Sequence, residues 1–236
     1  MPANLERVPG HDRLQETVTT AGLTAISAVP VLGGPVATAV TGFLAERQAH
    51  RQHEFNVYVA QGLDQIVERV DGLTPEAILE SNEFMAAYEK ASRAAAESAS
   101  DDKRQRLANV VANMGVWSGF PEAQRTQLLN LVVEYDDLHV FLIRFFTDPA
   151  AWLRTNVPEA RSENVIPSSI SHVLGEWVFT DQPNWRVIVE PALAKLKSDG
   201  LLDVPLFVSM TGAGAIEPRT TPFAQTFIKF VTEEDS

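Results

Sequence analysis

His50 and His53 are the first residues whose type and spacing could do chemistry. Three apart on a helix, they share a side and could hold a metal with a third ligand. No third ligand is indicated, and a solvated polar face is the plainer account. A second cluster, Glu134, Asp136, Asp137 and His139, gathers carboxylates on what reads as one long helix. Paired carboxylates divide acid and base roles when their environments differ; on an exposed helix side they are surface charge. A third group is basic: Lys90 and Arg93, then Lys103, Arg104 and Arg106. If their helices form a hairpin through residues 98–101, these cations converge into a pocket for an anionic ligand such as a nucleotide or oligonucleotide. The alternative is ordinary pairing with neighbouring acids on the helix surface. The chain has no phosphate loop, nucleophile elbow or dinucleotide fingerprint. The expectation is a protein without catalytic residues, metal or cofactor.

Composition narrows the classes. The 236 residues carry a formal charge of −12, with 45% hydrophobic residues and no cysteine. That length allows one large domain or two smaller ones around a real core. So acidic a chain does not bind nucleic acid broadly, because counterion release needs a basic surface. Without cysteine there are no disulfides and no thiolate chemistry. Glu6, Asp12 and Glu16 against Arg7 and Arg13 make residues 1–16 a poor secretory signal. The expected location is the cytoplasm, with association to the inner membrane through the segment that follows.

The elements that would position these residues fall into five stretches. Residues 1–16 are a polar tail. Residues 17–45 carry no charge and are interrupted by Pro30, Gly33, Gly34 and Pro35, which with Leu32 and Val36 make up the expected membrane-active hinge. Proline and glycine break the run into two short arms, with Pro35 in the first turn of the second. Each arm, about a dozen residues, suits a buried helical hairpin or a membrane-inserting one. Residues 46–155 read as a helical bundle. In it, one helix ends at Asp71-Gly72, another runs from Thr74-Pro75-Glu76 to about residue 98, and a third is capped by Ser100 or Asp101. A long helix over 122–146 follows, then a short one capped by Asp148-Pro149. Residues 156–167 read as a linker. Residues 168–236 form two helices, a hairpin pairing 216–220 with 204–210, and a last helix. The fold class is mainly α, closing in a small α+β region.

In that last region the run Leu193-Ala194-Lys195-Leu196-Lys197-Ser198-Asp199-Gly200-Leu201-Leu202 resembles the end of a winged-helix recognition helix entering its wing. Arg186, Lys195 and Lys197 are offset by Glu190 and Asp199, with Pro191 inside the helix, so specific duplex DNA binding is not expected. With the segment 30–35 and the closing 221–230, the chain resembles bacterial abortive-infection or phage-defence proteins. That resemblance implies an effector, held inactive in a homo-oligomer or by a ligand, whose segment 17–45 damages or perforates a membrane. The second expectation is a regulatory protein docking a partner through the winged-helix-like end.

Overall fold

The computed structural model describes residues 35–115, 118–157, 168–206 and 208–232. It is mainly helical. The chain divides into two compact units, one ending at Glu134 and the other beginning at Tyr135.

The first unit is built on α1, Pro35–Arg69, a single helix of 35 residues. At 1.5 Å per residue it is about 52 Å long. Pro35 opens it, where a missing N–H costs nothing. Gly72, at φ 78°, turns the chain just beyond its end. α2, Pro75–Leu79, is capped by Thr74, whose hydroxyl accepts from the Ala77 N–H. The helix expected to continue to residue 98 instead breaks. Ser81 is extended and its hydroxyl accepts from the Phe84 N–H, starting α3, Asn82–Glu97, afresh. Ser100 caps α4, Asp101–Ala112, and α5 is Glu122–Glu134.

Phe55, Val59 and Ile66 of α1 are buried with Phe84, Ala87, Ala91 and Ala95 of α3 and with Leu107, Val110 and Val111 of α4. The three alanines, four apart, give α3 a flat face that neighbouring helices approach closely. Gly62 does the same for α1, where an added Cβ would stand 3.1 Å from the Ala112 Cβ.

The second unit is denser in aromatic residues. Asp136 starts α6, Asp137–Thr147, by accepting from the His139 N–H, so the expected helix over 122–146 is two helices. Aspartate competes for the backbone at a cap better than it serves inside a helix. Asp148 caps α7, Pro149–Asn156, as the sequence indicates. The linker placed at 156–167 lies outside the described residues from 158 on. Ser169 caps α8, Ile170–Val173, which runs into a π-helical turn, Leu174–Val178. There Gly175 leaves room for the Trp185 indole, whose nitrogen would stand 3.0 Å from a Cβ at that position. α9 is Trp185–Ser198, with Gly200 beyond it at φ 76°.

The described part of 168–232 is mainly helical, as expected, but the expected hairpin is not formed. Among the described residues no strand forms; one isolated antiparallel bridge joins Leu202 to Thr220. Residues 219–221 return to 201–203 rather than to 204–210, through Asp203 N–H to Arg219 O and Thr221 N–H to Leu201 O. The Gly212–Ala215 stretch between them is a helical turn, α10, capped by Thr211. α11, Pro222–Val231, capped by Thr221, buries Phe227 and Phe230.

The membrane expectation is overturned. Among the described residues no helix is long and apolar enough to cross a bilayer. α1 has the length, but Glu46, Arg47, Arg51, Glu54, Asp64, Glu68 and Arg69 charge it from its second third onward. Its uncharged start, residues 35–45, rises only about 17 Å against a hydrocarbon core of about 30 Å. Of the residues assigned to membrane action, Pro35 and Val36 begin this helix, while Pro30, Leu32, Gly33 and Gly34 lie outside the described residues.

Gly62 offers a test of the α1–α4 contact. Alanine there gains about 1 kcal/mol of helix propensity and loses a similar amount to crowding against Ala112, so Gly62→Ala is expected to be near neutral. Gly62→Leu, which forces the helices apart, is expected to cost about 1–3 kcal/mol in urea unfolding.

Candidate functional site

The inner half of α1 is tied to its neighbours by polar side chains. Arg104 of α4 is buried, and its guanidinium donates to Glu54 of α1 at 2.9 Å, to Asp101 at 3.2 Å and to the Ser98 carbonyl at 3.0 Å. The Tyr58 hydroxyl of α1 donates to Asp101 at 2.9 Å. Farther along, Arg51 donates to the Ala96 carbonyl at the end of α3. Burial is the first cause that pushes the Tyr58 phenol from 10.0 up to about 12, followed by its hydrogen bond to Asp101 and the charges of Asp101 and Glu54. Arg104 pulls the other way.

These contacts place the sequence-derived candidates. Lys90 bonds the Asn130 side chain, and Lys103 reaches the Val133 carbonyl at 2.8 Å, so both turn toward α5. Arg104 turns to α1 instead. Arg106 is buried and Arg93 is exposed. Lys90, Lys103 and Arg104 thus bond groups of the protein on different sides of the bundle. His50 pairs with Glu54 at 3.3 Å and His53 is exposed. No group of three metal-capable side chains occurs among the described residues. Asp136 is a helix cap that also bonds the His139 imidazole at 2.6 Å. That ring stacks on Tyr135 at 4.9 Å. The Tyr135 hydroxyl donates to Asp199, which also receives Lys195 at 2.8 Å. Asp199 and Lys195 thereby tie Tyr135 to α9.

Two features escaped the sequence reading. Arg125, 4% exposed, forms a two-pronged pair with Glu83 at 2.7 and 2.5 Å and also bonds the Phe120 carbonyl. Glu83 is the leading reason its guanidinium is held above the ordinary arginine value. The partners are 42 positions apart, and nothing local marks them.

The other is the outer end of α1. Residues 42–50 are exposed on every side, including Phe43 at 56% and Leu44 at 46%. Leu44 and Phe55 stand eleven residues apart, three full turns, and therefore on one face. Phe55 is fully buried. The face that serves as core in the bundle thus continues outward, uncovered. Arg47 lies over the Phe43 ring, 4.8 Å from its centre. Between residues 42 and 54 two arginines, Arg47 and Arg51, balance two glutamates, Glu46 and Glu54.

No protein-family model, curated protein or solved structure matches the chain. The resemblance to phage-defence proteins is carried by the residues quoted above alone.

Two measurements probe this architecture. Alkaline titration of phenolate absorbance is expected to show Tyr58, identified by comparison with Tyr58→Phe, ionising near 12. In Asp101→Asn its midpoint should move back toward 10.0 without reaching it, because burial remains. The folded state holds this phenol neutral, so its contribution to stability is intact below the unfolded value and disappears as pH rises through the folded one. For the second pair, Glu83→Ala strands a buried guanidinium and is expected to cost about 3 kcal/mol in urea unfolding. The double replacement Glu83→Leu/Arg125→Met should recover most of that loss.

Proposed function

We propose that the chain is a self-associating interaction protein, not an enzyme, and that two copies meet through the outer end of α1. The observation that carries this reading is the exposed outer stretch of α1, residues 42–50, where Leu44 continues the core face marked by Phe55 and Phe43 stands about 120° around the helix from Phe55. A helical segment of this length is marginal in water without packing on one side, and exposed clustered apolar side chains mark interaction sites.

A second copy is the occupant favoured by charge. The whole chain carries −12, and two such molecules repel. The arm is locally neutral, with its arginines and glutamates interleaved, so two arms approach without that penalty and can exchange ion pairs. The size of the effect is bounded. Burying one Phe and one Leu from each copy contributes about 1.5–3 kcal/mol per side chain at most, set against an association cost of about 4–15 kcal/mol. These four side chains at most offset that cost, so the dimer is weak and reversible.

Sedimentation velocity over a concentration series tests this directly. The wild type is expected to pass from monomer to dimer, and Phe43→Asp and Leu44→Asp to stay monomeric with unchanged melting temperature, since both positions are exposed. A wild type monomeric at every concentration contradicts the proposal. So does a dimer that survives both substitutions. A monomer whose melting temperature falls on Phe43→Asp would show instead that the chain covers this face itself.

A further inference from the structure

The first unit exposes apolar side chains at a second place, the corner where α2 gives way to α3. Leu79 is 60% exposed and Met85 40%. Each has an exposed acid one turn away on its own helix, Glu76 beside Leu79 and Glu89 beside Met85. Glu80, at the break between the helices, is exposed as well. From Val70 to Glu89 the chain carries five acids and no lysine or arginine. Arg125 holds one of them, Glu83, and the other four stand in solvent.

The exposed arm of α1 has the opposite character. At about 100° per residue, Arg47 and Arg51 stand within about 60° of Leu44, while Glu46 lies about 160° away. The arm is neutral as a whole, but the face around Leu44 is cationic. Arg47 also covers the Phe43 ring, so charge and apolar surface come together there. Glu54, the next acid along the helix, is engaged within its own molecule by Arg104 and His50.

Apolar side chains among acids complement apolar side chains among arginines. The two surfaces lie at opposite ends of α1, since α2 follows its far end. Leu44 and Arg69 are about 38 Å apart along a continuous helix, so an arm does not reach the corner of its own molecule. Two copies set antiparallel bring each arm to the other's corner, and such an exchange closes on itself.

We propose that the arm of one copy docks on the α2–α3 corner of a second, with Phe43 and Leu44 against Leu79 and Met85, and Arg47 among Glu76, Glu80 and Glu89. This rests on the self-association proposed above and names the surface that receives the arm. The corner supplies apolar area beyond the arm's own two side chains.

Sedimentation velocity and crosslinking on the full chain test the corner. Leu79→Asp is expected to remain monomeric at concentrations where the wild type associates, with its melting temperature unchanged. Glu76→Lys/Glu80→Lys and Arg47→Glu should each weaken association at least tenfold. The chain has no cysteine, so Gln48→Cys on the arm and Ala86→Cys beside Met85, both exposed, can be placed on separate chains, mixed and treated with a short bismaleimide. The two kinds of chain should be joined to each other. Gln48→Cys chains joined only among themselves, or a Leu79→Asp dimer as tight as the wild type, overturns the corner as the seat and leaves self-association through the arm standing. A wild type that is monomeric at every concentration overturns both. Should Leu79→Asp lower the melting temperature, the crosslink, which leaves Leu79 in place, decides.

Discussion

The close approach of α1 to α4 is the constraint on which the first unit rests. Gly62 permits it sterically, facing Ala112. Arg104 then holds it in register, because a guanidinium buried between helices must be met by acceptors, and Glu54, Asp101 and the Ser98 carbonyl meet it. Neither device works without the other. Close contact alone leaves the helices free to slide, and a buried charge without close contact is a liability. Together they fix the inner half of a 35-residue helix, beyond which residues 42–50 stand exposed.

Much of this fold was legible in the residues. Thr74-Pro75, Ser100, Asp148-Pro149 and Thr221-Pro222 start helices where cap chemistry says they should, because a cap acts over three residues and leaves its signature in sequence. The helix breaks at Ser81 and Asp136 were harder to read. Both residues cap a helix here, yet each sits inside an apolar pattern that looks continuous, and periodicity alone favours the longer helix. The wing failed for a related reason. Alternating apolar residues in 204–210 suggest a strand, but pairing partners are set at long range, and residues 219–221 meet 201–203 instead.

The functional residues were less legible than the fold. A run of cations reads the same whether it faces a ligand or its own bundle. Lys103 and Arg104 are neighbours in sequence yet turn to different helices, because successive residues on a helix point about 100° apart. The uncharged stretch before Glu46 carried the membrane expectation because composition alone does not measure a span. Once Pro35 is known to open α1, the apolar part of that helix is about half a bilayer long. Of that stretch, residues 42–45 on α1 are exposed.

The caps also bear on how the chain reaches its structure. Among the described residues, eight helix starts are each fixed by a hydroxyl or carboxylate within three residues of the N–H it receives, at Thr74, Ser81, Ser100, Asp136, Asp148, Ser169, Thr211 and Thr221. Such boundaries need no distant partner, so they are available while the chain is still extended. Their contacts close loops of only a few residues, which places little entropy between the unfolded chain and its helices. The slow events are then the long-range ones: seating Arg104 against Glu54 in one unit, and bringing residues 219–221 back to 201–203 in the other. Helix formation should therefore run ahead of tertiary order, with the ends of the helices in place before their sides have found each other.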